Sequence, residues 1–177
     1  MTSETAMPIA LTFDDLLEYT AWQRGRWHAW LRDHQEALAL SAGPNGDGRF
    51  TSVGDLVKHI FGAEMRYVQR LQGQPLNDLA TVSPDDVEAL FSTGESSRRM
   101  LTDLIRDLDA SVWDVPREFV ILGYNVTATP KKIVMHVLMH EIRHWAQIAT
   151  LCRLNGLVVE WQDFLGSPVW GGAFQSS

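Results

Sequence analysis

His136-Val137-Leu138-Met139-His140-Glu141-Ile142-Arg143-His144-Trp145-Ala146-Gln147 holds half of the six histidines of this chain, at successive i, i+4 spacings. On an α-helix each such step rotates by only ~40°, so the three imidazoles run along one face. Two neutral imidazoles on adjacent turns can point at the same cation. Thr129-Pro130 supplies an N-cap and a first-position proline before the stretch, and Asn155-Gly156 supplies a stop after it. The segment is therefore a helix of about 130–155, and it also spells H-E-x-x-H.

Working outward, three more segments carry helical periodicity. Thr12 with Asp15 opens a helix of about 12–40, with Leu16, Tyr19, Trp22, Trp27, Trp30 and Leu31 among polar residues. Ser52 with Asp55 opens one of about 52–72, where Leu56, His59, Ala63, Tyr67 and Leu71 share a face. Ser83, Pro84 and Asp86 open the third, about 84–108, with Pro84 at its first position. The stretch from Ser41 to Phe50 reads as a solvated loop. Glu118 to Thr127 reads as a small hairpin or an extended crossover between helices three and four. The tail, 156–177, is too apolar to float free and is expected to pack over one end of the bundle or against a second subunit. The expectation is an all-α fold, one four-helix-bundle domain over residues 1–177.

Composition narrows the partners. A formal net charge of -7 argues against a nucleic-acid backbone, which asks for a basic patch. The single cysteine, Cys152, rules out an internal disulfide and fits a reducing cytoplasm. No signal core and no membrane-length apolar run is evident, so a cytoplasmic location without a membrane partner is expected.

With His140 as reference, Ile133, Val137, His144, Gln147 and Leu151 fall within roughly a 100° stripe. Histidines in that stripe are either hydrogen-bonded core residues or metal ligands, and spacing alone leaves both open. His59 on helix two offers a third ligand if the two helices face each other. Glu64 and Glu141 read either as outer partners of such a site or as helix-surface carboxylates beside Arg66 and Arg143, and the surface reading is favoured. His136 is expected outside the ligand set, near the site or at the end of the bundle.

The pattern Leu56-Val57-Lys58-His59-Ile60-Phe61-Gly62-Ala63-Glu64, followed by the helix-four stretch through Ile148, resembles the DinB-like superfamily, the DinB/YfiT-like four-helix bundles. The resemblance covers about Phe13 to Phe164, and its specific part is one early helix-two histidine and the H-x-x-x-H pair. It implies a bundle, often dimeric, with a divalent metal, zinc or nickel, held by His59, His140 and His144. His136, Glu64, Glu141, Arg143 and Gln147 remain candidates, from the reading of the residues, for the surroundings of the metal and the substrate pocket. Many members read His-His-Arg-Gly-Gln where this chain has Arg143-His144-Trp145-Ala146-Gln147. That departure puts an anion contact in question, with Arg143 as a substitute. Some relatives use low-molecular-weight thiols such as bacillithiol or mycothiol in S-transfer, and one branch isomerises maleylpyruvate with mycothiol.

The resemblance thus implies a homodimeric, metal-dependent thiol S-transferase acting on small electrophiles, with a low-molecular-weight thiol as cosubstrate. A non-catalytic metal-binding bundle and a metal-dependent hydrolase are the alternatives. A zincin protease would use Glu141 as base, but Gln147 and Thr150 stand where the extended motif needs glycine and histidine.

Overall fold

Four side-chain caps set where the helices begin, and three stand where the sequence placed them. The computed structural model describes residues 10–43 and 49–171. Helix α1 (Phe13–Asp33) and helix α2 (Val53–Gln72) start with reciprocal capping boxes, Thr12 with Asp15 and Ser52 with Asp55. Helix α4 (Pro130–Leu154) starts at the Thr129 cap with Pro130 in its first turn. Helix α3 (Val87–Asp107) differs: its cap is Asp86, whose side chain accepts from the Ala89 amide at 3.0 Å. Ser83 and Pro84 belong to the preceding turn, so the helix starts three residues later than expected. Helix α1 also stops early. His34 leaves helical backbone, at φ -131° and ψ 55°, and Gln35–Ala39 form a tighter 3-10 turn.

Between α3 and α4 lies a hairpin, β1 (Arg117–Ile121) and β2 (Tyr124–Ala128), paired antiparallel with Ile121 opposite Tyr124. Its two-residue turn, Leu122-Gly123, has φ 52° and 81°. Positive φ at both positions matches the right-handed twist of the strands, and a leucine at the first is unusual. No described helix is long and apolar enough to cross a membrane. The loop read as solvated is pinned at its base by Ser41 pairing with Ser52 and by buried Ala42, while 44–48 lie outside the described residues.

The tail does not cap one end. It runs back along α1: Trp30 donates to the Val158 carbonyl at 3.0 Å, Tyr19 to that of Gln162 at 3.1 Å, and Trp170 to the Asp15 carboxylate at 3.1 Å. Its last residues, 172–177, lie outside the described residues.

Two apolar clusters fill the bundle. One gathers Trp27, Leu31, Phe61, Leu90, Phe91 and Trp145; the other gathers Leu16, Val68, Leu101, Leu104, Val134 and Leu138. Trp27 and Trp145 stack at 5.1 Å. Burying one side chain of that size removes roughly 200 Å² of surface, on the order of 5 kcal/mol before ordering costs.

Between the clusters lies a charged layer with a contribution from every helix. Arg24 of α1 donates to both Glu141 oxygens, at 2.6 and 2.8 Å, to Glu64 at 3.0 Å and to the Gly94 carbonyl at 2.8 Å. Arg98 of α3 reaches Glu141 at 2.7 Å, Glu64 at 3.1 Å and Thr20 at 2.7 Å. Ser97 donates to Glu64 at 2.7 Å, and the Trp145 indole to Glu141 at 3.1 Å. Burial works against the Arg24 charge, but the facing Glu141 and Glu64 carboxylates outweigh it and hold the guanidinium above its ordinary pKa. Burial likewise raises the Glu141 pKa, and Arg24 and Arg98 more than reverse that rise. Gly94 is required here, since a Cβ would stand 2.8 Å from the Phe61 ring.

Removing one member leaves buried charge unbalanced. Arg24→Met is expected to cost about 3 kcal/mol or more in chemical denaturation. Arg106→Met, which breaks only exposed pairs with Asp103 and Asp107, should leave the denaturation midpoint nearly unchanged.

Candidate metal centre

Helices α2 and α4 pack face to face, and each presents histidine beside a residue of the charged layer. Glu141 occupies the inward direction of α4, in line with Val134, Leu138, Trp145 and Ile148, all buried. His140, one residue earlier, is rotated by ~100° to the flank. His144 follows it one turn on, 6% exposed, and His59 of α2 meets them from across the interface.

The His140 Nε2 lies 3.1 Å from the Nε2 of His59 and 3.1 Å from that of His144. All three nitrogens fall within 4.8 Å of one another. Gln147 presents its Oε1 3.0 Å from His144 Nδ1. That oxygen accepts the Nδ1 proton, which leaves Nε2 as a bare lone pair facing the cluster. Burial pushes His140 down to about 2, with His144, His59 and Arg143 adding to the shift. Burial lowers His144 too, and Gln147 offsets only part of that effect.

The cluster opens into a cavity of about 620 Å³ between α2, α4 and the hairpin tip. Phe50, Leu56, Ala63, Tyr67, Ile121 and Leu122 supply its apolar wall, and Arg49, Arg66, Arg70 and Arg143 its charge. His136, Arg143 and Gln147 line it as well. His136 is exposed, with its ring 5.3 Å from Tyr67 and 5.6 Å from His140. The Arg143 Nη2 stands 3.2 Å from His144 Nε2.

Glu64 and Glu141 require a correction. Each is 1% exposed, neither lines the cavity, and both are held in the mid-bundle layer by Arg24 and Arg98. They are not surface carboxylates, and neither faces the cavity. The H-E-x-x-H reading of Glu141 as a base fails on the same contacts. Arg24, Arg49, Arg70 and Arg98 escaped the sequence reading, and Arg66 entered it only as a surface neighbour of Glu64. Of the remaining histidines, His28 stacks on Phe91 at 4.3 Å and His34 packs on Trp30 at 4.5 Å. Cys152 is buried, and that burial raises its thiol to about 11, so it is no nucleophile.

The model of the DinB family matches residues 2–172. The chain belongs to the DinB family. The match spans all four helices and the hairpin, so the three histidines and the whole cavity lie inside it. No curated protein matches the chain.

The donor set of this DinB-family chain suits a divalent metal. Three imidazole nitrogens converge, burial disfavours protonated His140 and His144, and the tautomer of His144 is fixed with its ligating nitrogen inward. The same arrangement sets a pH dependence in chelator-treated protein. His140 has a folded pKa far below the unfolded value of 6.5, so the unfolded chain binds the extra proton. Stability of the metal-free protein should therefore be fully present above about pH 6.5 and fall as the pH drops below it. Thermal melts of wild type and His140→Gln check this, with a flatter profile expected for the variant between pH 6.5 and 5.

Proposed function

We propose that this protein is a metal-dependent thiol S-transferase for small electrophiles, with His59, His140 and His144 holding zinc or nickel. The observation that carries the reading is the convergence of three imidazole nitrogens at the wall of an open cavity of about 620 Å³. A metal serving only to hold the bundle together would not call for such a cavity. A divalent ion bound there supplies the positive charge that keeps a low-molecular-weight thiol in its thiolate form.

The residues of the chain do the rest. Gln147 holds the His144 Nδ1 proton, and with it the ligating tautomer. Phe50, Leu56, Ile121 and Leu122 form an apolar wall that limits water around the reacting sulfur. In the transfer, a carbon–sulfur bond forms while the leaving group departs with its electron pair. Among the described residues no carboxylate lines the cavity, so the thiol proton passes to solvent. Arg143, beside His144, is placed to steady negative charge on the acceptor.

Metal analysis of the purified protein tests the ligand set. One equivalent is expected in wild type, with little in His59→Ala or His144→Ala. Gln147→Leu should bind roughly 10- to 100-fold more weakly, as loss of an orienting partner does. Undiminished metal in both histidine variants would refute the triad. A panel of bacillithiol-like and mycothiol-like thiols with electrophilic acceptors then tests catalysis. Absence of metal-dependent turnover at full occupancy favours a non-catalytic metal-binding bundle.

The same reading takes the protein as a cytoplasmic homodimer with a small-molecule substrate and no nucleic-acid partner, consistent with one buried cysteine and a net charge of -7. Light scattering at micromolar concentration is expected to give twice the chain mass; a monomer mass would refute the dimer.

A further inference from the structure

Among the described residues, five arginines outside the cavity have a carboxylate at ion-pair distance. Arg24 and Arg98 face Glu64 and Glu141, Arg26 faces Glu160, Arg32 faces Glu88, and Arg106 faces Asp103 and Asp107. Arg99, Arg117 and Arg153 have none among the described residues and are exposed, whereas around the histidines guanidinium groups are gathered in one recess. Arg49, Arg66, Arg70 and Arg143 line one cavity whose described wall includes no carboxylate, in a chain of formal net charge -7. Among the described residues, none of Arg66, Arg70 and Arg143 has a carboxylate at ion-pair distance. Arg66 donates to the Gly62 carbonyl at 3.0 Å, and Arg70 to the Arg66 carbonyl at 3.3 Å while lying over the Tyr67 ring. Arg143 stands at the histidine cluster. Burial, together with the Arg70 and Arg49 charges, lowers the Arg66 pKa, and Asp78 offsets this only in part.

Like charges gathered in a recess repel one another, and an anionic ligand relieves that repulsion on binding. The side chains are all arginine, with no lysine among those lining the cavity. Planar guanidinium forks match carboxylates and phosphates through paired hydrogen bonds. A volume of about 620 Å³ holds a metabolite rather than a polymer. The charge also sits on two sides of the histidines, with Arg66 and Arg70 on α2 and Arg143 on α4.

We propose that the cavity takes a small organic polyanion, carrying carboxylates or a phosphate, whose charged groups pair with Arg66, Arg70 and Arg143 and whose reactive end faces the histidine cluster. The inference rests on the transferase reading only for which end of the molecule reacts; charge pairing stands apart from it.

The test compares two thiols of similar size on cobalt-loaded protein, read by thiolate-to-cobalt absorption. Mercaptosuccinate carries two carboxylates and 1-thioglycerol none. Mercaptosuccinate is expected to bind about ten-fold or more tightly, since charged hydrogen bonds are stronger than neutral ones. The preference should shrink with added salt and be largely lost in Arg66→Gln, and in Arg143→Gln at its exposed position. Equal affinity for the two thiols, or a preference that survives both variants, overturns the proposal while leaving the metal reading intact. If neither thiol gives the absorption, the transferase reading fails instead. Calorimetry with succinate and with inorganic phosphate, on wild type and the Arg66→Gln/Arg143→Gln double variant, then decides the polyanion proposal. Arginine-dependent heat supports it and identifies the preferred anion, whereas no binding of either overturns it.

Discussion

The bundle depends on a salt-bridged layer at its midpoint, where Arg24 and Arg98 face Glu64 and Glu141. Two positive and two negative charges balance, and all four helices meet there. Apolar packing tolerates small rotations of a helix because neighbouring hydrophobes substitute for one another. Hydrogen-bonded charges in a dry core do not, since a misplaced one is left without a partner. The layer thereby fixes the rotation of α2 and α4 about their axes. His140 precedes Glu141 directly and His59 lies five residues before Glu64, so orienting the carboxylates inward orients the histidines to the shared flank.

Much of this was legible in the sequence, and the failures have physical reasons. Thr12, Ser52 and Thr129 announced three helix starts, because a capping side chain acts on amides within its own turn. The α3 start was misplaced because Ser83-Pro84 and Asp86 both offer start signals, and only packing decides between them. Helix α1 ends at His34 with no glycine or proline to mark the stop. Glu141 was the instructive miss. It stands at i+7 and i+3 from Val134 and Leu138 and four before Trp145, an inward position by spacing alone. Reading the inward face from the histidines displaced it by one residue, about 100° of helix. Glu64, four residues after Ile60 and four before Val68, was misread for the same reason. Arg66 and Arg70 stand four apart on α2, but no spacing ties them to Arg49 or Arg143, and only the fold brings all four to one wall.

The molecule thus keeps two electrostatic regimes a few residues apart. In the core, charge is neutralised within the chain and serves geometry. At the cavity, three arginines have no carboxylate at ion-pair distance among the described residues, and burial disfavours the protonated forms of His140 and His144 beside them. Glu64 and Glu141 are held in the interior, and among the described residues no carboxylate lines the cavity to compete for a cation or repel an anion.

The charged layer also bears on how the chain comes apart. Its pairs span 117, 40 and 43 residues of sequence, so no local fragment can form them in advance. A half-assembled bundle that buried one of these groups early would carry an unpaired charge. The layer should therefore close among the last events of folding, after the helices have collapsed onto one another. Interactions absent from the transition state retard escape from the native state rather than hasten arrival at it. On that order of events the ionic layer is a latch, expected to lengthen the lifetime of the folded chain more than it speeds formation.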